Sequence, residues 1–85
     1  MKVRVLYFAR LREELGCAAE EVALPADVDT VAALRSWLAA RGPTWASALA
    51  PTRRIRAALN HDMVSDTAAL IDGAEVAFFP PVTGG

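Results

Sequence analysis

Apolar and polar positions alternate from the first residues of the chain, with Val3, Val5 and Tyr7 on one side of an extended segment and Arg4 on the other. β-Branched, aromatic and aliphatic residues in that pattern predict a first strand over Lys2 to Phe8. The period then changes. Between Ala9 and Leu15, Leu11 and Leu15 share one helical face, Glu13 and Glu14 point elsewhere, and Gly16 suits the left-handed stop position, so a short helix is expected. Glu20 to Leu24 alternates charge with Val22 and Leu24 until Pro25 withdraws a backbone donor, which predicts a second strand.

Val31, Leu34 and Leu38 repeat at helical spacing behind the capping oxygens of Asp29 and Thr30, and Arg41 followed by Gly42-Pro43 closes the run. This is the principal helix. Thr44 to Ala50 keeps an apolar bias around Trp45 and Leu49 but is too short for an independent helix, so a docked turn ending at Pro51 is expected. Ile55, Ala57 and Leu59 alternate with Arg54 and Arg56, and the polar turn Asn60-His61-Asp62 before Met63-Val64-Ser65 predicts a hairpin. Asp72-Gly73 marks another turn, and Glu75 to Phe79 forms a last apolar strand running into Pro80-Pro81.

Successive side chains of a strand point to opposite faces, so Phe78 and Phe79 cannot both enter the core. Counting from a solvent-facing Glu75, Val76 and Phe78 belong to the core, while Ala77 and Phe79 face outward. Phe79 is therefore expected to touch a partner, with Met63 on the neighbouring strand in the same patch. The element order points to an α+β fold in which one mixed sheet packs on one main helix. Residues 1–79 form this domain and residues 80–85 an extended tail.

The length of 85 residues allows one domain, and 54% hydrophobic against 22% charged residues argues for a folded chain. Cys17 is the only cysteine, which excludes an internal disulfide and a cysteine metal cluster within the chain and suits a reducing cytoplasm. Charges interrupt the opening residues, so neither a signal peptide nor a membrane span can be drawn. A net charge of -1 is too small for a non-specific nucleic-acid binder. Arg53, Arg54 and Arg56 form one basic cluster and Arg10 with Arg12 a smaller one, both expected to be solvated faces. His61 lacks a second ligand or a carboxylate partner in the pattern, and no Ser/His/Asp set, metal-ligand spacing or phosphate-cradling loop occurs. An enzyme acting alone is not expected.

The tail carries the chemistry. Pro80-Pro81 stiffens its exit, Val82 and Thr83 extend it, and Gly84-Gly85 removes every side chain at its tip. Six extended residues reach roughly 20 Å, enough to enter another protein's buried pocket. A terminal carboxyl with a pKa of about 3.5 is an anion at neutral pH and a poor acyl electrophile. Adenylation would turn it into a mixed anhydride, from which a persulfide or thiolate could displace the nucleotide.

The ending Asp72-Gly73 with Glu75-Val76-Ala77-Phe78-Phe79-Pro80-Pro81-Val82-Thr83-Gly84-Gly85, and the opening Val5-Leu6-Tyr7-Phe8-Ala9-Arg10 with Leu11-Arg12-Glu13, resemble the small subunits of molybdopterin synthase. The length agrees along the whole chain. The resemblance implies a ubiquitin-like β-grasp fold and adenylation of Gly85 by an enzyme of the ubiquitin-activating type that consumes ATP. It further implies conversion of Gly85 to a thiocarboxylate with a sulfur-donor protein, Gly84 giving access and no cofactor or metal being permanently bound. It also implies a large catalytic subunit, joined to this chain in a heterotetramer, that would use the sulfur to convert cyclic pyranopterin monophosphate into the dithiolene of molybdopterin. Two other readings share the tail chemistry: a modifier captured by lysine amines, and a sulfur carrier for thiazole or thiolated tRNA. The Phe-Phe-Pro-Pro ending favours the pterin.

Overall fold

The computed structural model describes residues 1–81. Val82, Thr83, Gly84 and Gly85, four of the six tail positions, lie outside the described residues. The elements follow in the order β1 (Lys2–Tyr7), α1 (Ala9–Leu15), β2 (Ala19–Ala23), α2 (Val31–Ala39), α3 (Pro43–Ala48), β3 (Arg56–Leu59), β4 (Asp62–Val64) and β5 (Glu75–Phe79). The five strands form one sheet in the order β2-β1-β5-β3-β4. β1 and β5 run parallel at its centre, and the other neighbours are antiparallel.

Alternation decides which face of the sheet is buried. Val3, Val5 and Tyr7 of β1, Val22 of β2, Ala57 of β3, and Val76 and Phe78 of β5 all turn inward. Val31, Leu34 and Leu38 of α2 complete the same hydrophobic cluster, with Leu11 of α1 and Leu49 beside them. Full burial of each large apolar side chain contributes about 1.5 to 3 kcal/mol. A mixed sheet covered on one face by a principal helix is the ubiquitin-like β-grasp fold expected from the sequence.

Local chemistry sets the element ends. Thr30 caps α2, its hydroxyl oxygen accepting from the Ala33 N–H at 3.1 Å, and Gly16 ends α1 in the left-handed region at φ 65°. At the hairpin, Asn60 and His61 both take positive φ, 48° and 75°, as a two-residue type I′ turn requires.

One expectation needs correction. Pro43–Ala48 is a short helix, α3, rather than a docked turn. Pro43 at its start has φ already set for a helix, and the Ala46 N–H donates to the Gly42 carbonyl at 2.8 Å. Packing then supplies what six residues cannot supply alone: Ala48 and Leu49 are buried, and Trp45 meets Tyr7 edge-on with ring centroids 5.6 Å apart. The Arg41 guanidinium lies over both Trp37 and Trp45, and donates to Glu20 Oε2 at 2.7 Å, the oxygen that also accepts from the Tyr7 hydroxyl at 2.9 Å. This network ties β1 and β2 to the α2–α3 connection.

Candidate functional site

β5 is the strand that launches the tail, and it is held on both sides. Its residues pair with β1 from Arg4↔Glu75 to Tyr7↔Phe78, and with β3 from Arg56↔Phe79 to Leu59↔Val76. Val76 and Phe78 are buried on its inner side, as the alternation from Glu75 predicts. The Phe8 N–H donates to the Phe78 carbonyl at 3.2 Å, close to the point where the chain leaves the sheet. Pro80 and Pro81 follow, both half-buried. The root of the tail is therefore fixed to the most buried strand of the domain.

The outer face of the sheet beside this root is apolar and concave. Leu6, Ala77, Ala58 and Met63 pair laterally across β1, β5, β3 and β4. Two alanines in the middle of that row, with larger side chains at either end, leave a basin of about 320 Å³. Phe8 and Phe79 line the basin as well, and His61 and Glu75 add polar groups. Phe79 is half-buried, whereas Phe8 is 45% and Met63 52% exposed. The structure thus brings Phe79 and Met63 together, as expected, and adds Phe8 and Leu6. A signal for Phe8 was present: continuing the alternation of β1 puts it on the side of Arg4 and Leu6, away from Val3, Val5 and Tyr7.

The other sequence candidates fall elsewhere. His61 is 87% exposed at its side chain, with Nε2 3.7 Å from Glu75 Oε1. Cys17 is half-buried, its thiol 3.6 Å from the Ala19 carbonyl oxygen. Arg53 grips Glu14 of α1 through two bonds of 2.6 and 3.2 Å, which holds the Glu14 carboxyl below the usual carboxylate range. Arg10, Arg12, Arg54 and Arg56 are exposed.

The domain thus holds the root of the tail on its central strand, beside an apolar basin. The sequence profile of the ThiS family matches residues 5–85, and the chain belongs to that family. It is 52% identical over 83 residues to the molybdopterin synthase sulfur carrier subunit of Escherichia coli (strain K12), with 98% of this chain and 99% of the relative covered. Among solved structures, a putative molybdopterin converting factor, subunit 1, from Pyrococcus furiosus matches with a TM-score of 0.78 and 30% identity over 96% of this chain and 99% of that one. SAMP1 from Haloferax volcanii matches with a TM-score of 0.75 and 25% identity over the full length of both chains.

Proposed function

We propose that this chain is the sulfur-carrier subunit of a molybdopterin synthase, and that the carboxyl of Gly85 carries the sulfur. The observation that carries this reading is the family match, which continues through Gly85, together with 52% identity to a sulfur carrier subunit over nearly all of both chains. The geometry of the tail's root supports it. A rigid strand delivers Pro80-Pro81 beside a face suited to docking, so the tip can be aimed into a pocket without ordering the domain at the same time.

The chemistry follows from the carboxylate. One carboxylate oxygen attacks the α-phosphorus of ATP on an adenylating enzyme, and pyrophosphate leaves. The terminal sulfur of a donor's persulfide attacks the acyl carbon, and AMP leaves with the bonding pair. A second thiol then cleaves the sulfur–sulfur bond, giving the thiocarboxylate and a disulfide on the donor side. In the large subunit the thiocarboxylate sulfur bonds to a side-chain carbon of cyclic pyranopterin monophosphate as a carbon–oxygen bond there breaks. Water then attacks the acyl carbon, so that the pterin thiolate leaves and Gly85 returns to the carboxylate, and two such transfers complete the dithiolene. The tail residues Pro80, Pro81, Val82, Thr83 and Gly84 form the inserted segment. Phe79 and Met63, with Phe8, form the docking face. The large subunit supplies the catalytic groups in the cytoplasm, two copies of each subunit making a heterotetramer.

Extending the chain by one residue past Gly85 tests this reading in a reconstituted assay with the large subunit, the adenylating enzyme, ATP and a sulfur donor. Loss of molybdopterin formation is expected, and undiminished formation would refute it. A second reading, a protein modifier, is favoured by the likeness to SAMP1, a small archaeal modifier protein. Isopeptide-linked species in the same reaction mixture would distinguish it.

A further inference from the structure

Behind the root of the tail, on the side of α1, lies a cavity of about 420 Å³ whose charge comes from Arg10, Arg53 and Arg54 and whose floor includes Pro80 and Pro81. We propose that this cationic cavity receives acidic side chains of the large subunit, at the mouth of the channel that takes the tail. The inference rests on the sulfur-carrier reading and adds the chemistry of the contact.

Three observations converge on the cavity. First, its walls are fixed. Arg35 of α2 donates from Nε to the Leu49 carbonyl at 2.9 Å and from Nη2 to the Arg53 carbonyl at 2.9 Å, and also reaches the Ala50 carbonyl. That clamp sets the path of the loop carrying Arg53 and Arg54, while the Arg53–Glu14 pair ties the loop to α1. Second, two guanidinium groups lack a direct salt-bridge partner: Arg10 and Arg54 are exposed and neither forms an ion pair among the described residues, although the charge of Arg10 acts on Glu14 from a distance. Third, the cavity shares Pro80 and Pro81 with the tail itself, so a partner that encloses the tail must cover the arginines too.

The energetics select the partner's chemistry. Taking an unpaired guanidinium out of water costs several kcal/mol, so a channel mouth closing over Arg10 and Arg54 needs carboxylates opposite them. The chain as a whole carries a net charge of -1, so its overall charge gives an acidic partner no attraction. The local cluster does, and its position orients the encounter with the tail leading.

The test is the association rate with the large subunit across ionic strength, for the wild-type chain, the double variant Arg10→Glu/Arg54→Glu and the double variant Arg10→Lys/Arg54→Lys. Both positions are exposed, so neither variant removes a packing contact from the core. At low salt the charge reversal should slow association about tenfold or more, with the gap shrinking toward 1 M salt, where the Debye length falls to about 3 Å. The lysine variant should stay within about threefold of wild type, because steering depends on charge. A reversed variant that associates like wild type, or a lysine variant as slow as the reversed one, would overturn the proposal. Failure of the sulfur-carrier reading would look different, since the wild-type chain itself would then form no complex.

Discussion

Asn60 and Glu75 hold each other twice: the Asn60 N–H donates to the Glu75 carbonyl at 2.8 Å, and the Glu75 N–H donates to Asn60 Oδ1 at 2.9 Å. The hairpin turn is thereby stitched to the first residue of the strand that carries the tail. Asn60 is also one of the residue types that tolerates the left-handed backbone it adopts at φ 48°. Asn60→Ala loses both properties and should cost about 2 kcal/mol. Asn60→Asp, which keeps an acceptor oxygen and the turn preference, should cost less than half of that. Urea midpoints of the two variants check the order.

Tyr7 offers a pH signature, because it is the only tyrosine of the chain. Burial chiefly, then the hydrogen bond to Glu20 and that residue's charge, push its pKa well above the usual 10. The folded state thus holds the phenol proton more tightly than the unfolded state. The stabilisation is fully present below about pH 10, where the unfolded phenol is also protonated, and fades as pH rises from there toward the folded value. Tyrosinate absorbance should stay absent near pH 11 while the protein is folded and appear together with unfolding. Tyr7→Phe should lose about 1 kcal/mol at neutral pH and lack this part of the alkaline slope. A phenol titrating near pH 10 in the folded protein would contradict the network.

Phe78 and Phe79 are neighbours with opposite duties. Phe78 is buried in the core, and Phe78→Ala should cost about 3 to 5 kcal/mol of folding stability, a large fraction of what a domain this small possesses. Phe79→Ala, especially combined with Met63→Ala, should change stability by about 1 kcal/mol while weakening binding to the large subunit tenfold or more. Calorimetric melting and titration of the two proteins separate these outcomes.

The fold was legible where one segment decides its own fate. The alternation in β1 and β5, the Leu11–Leu15 stripe and Gly16 of α1, the cap at Thr30 and the Asp72-Gly73 turn are all local signals, and the structure follows each. α3 was not legible because its stability resides in the packing of Trp45, Ala48 and Leu49 against elements distant in sequence. The clamp at Arg35 was hidden for a similar reason, since its partners are backbone carbonyls 14 to 18 positions later, which leave no trace in residue type. For the apolar basin, the outward side of Phe79 followed from strand parity, but its neighbourhood with Met63 and Phe8 required the strand order β1-β5-β3-β4. The chemistry proposed for the tail rests on composition and family likeness, and Val82 to Gly85 lie outside the described residues.

The most direct test concerns the atom that bears the sulfur. Incubation with the adenylating enzyme, ATP and a sulfur donor, followed by mass spectrometry of the proteolysed chain, locates the modification by residue. The C-terminal peptide ending in Gly85 should gain the mass difference of one sulfur for one oxygen, and the peptide containing Cys17 should stay unchanged. Sulfur found on Cys17, with an unmodified Gly85, would contradict the account.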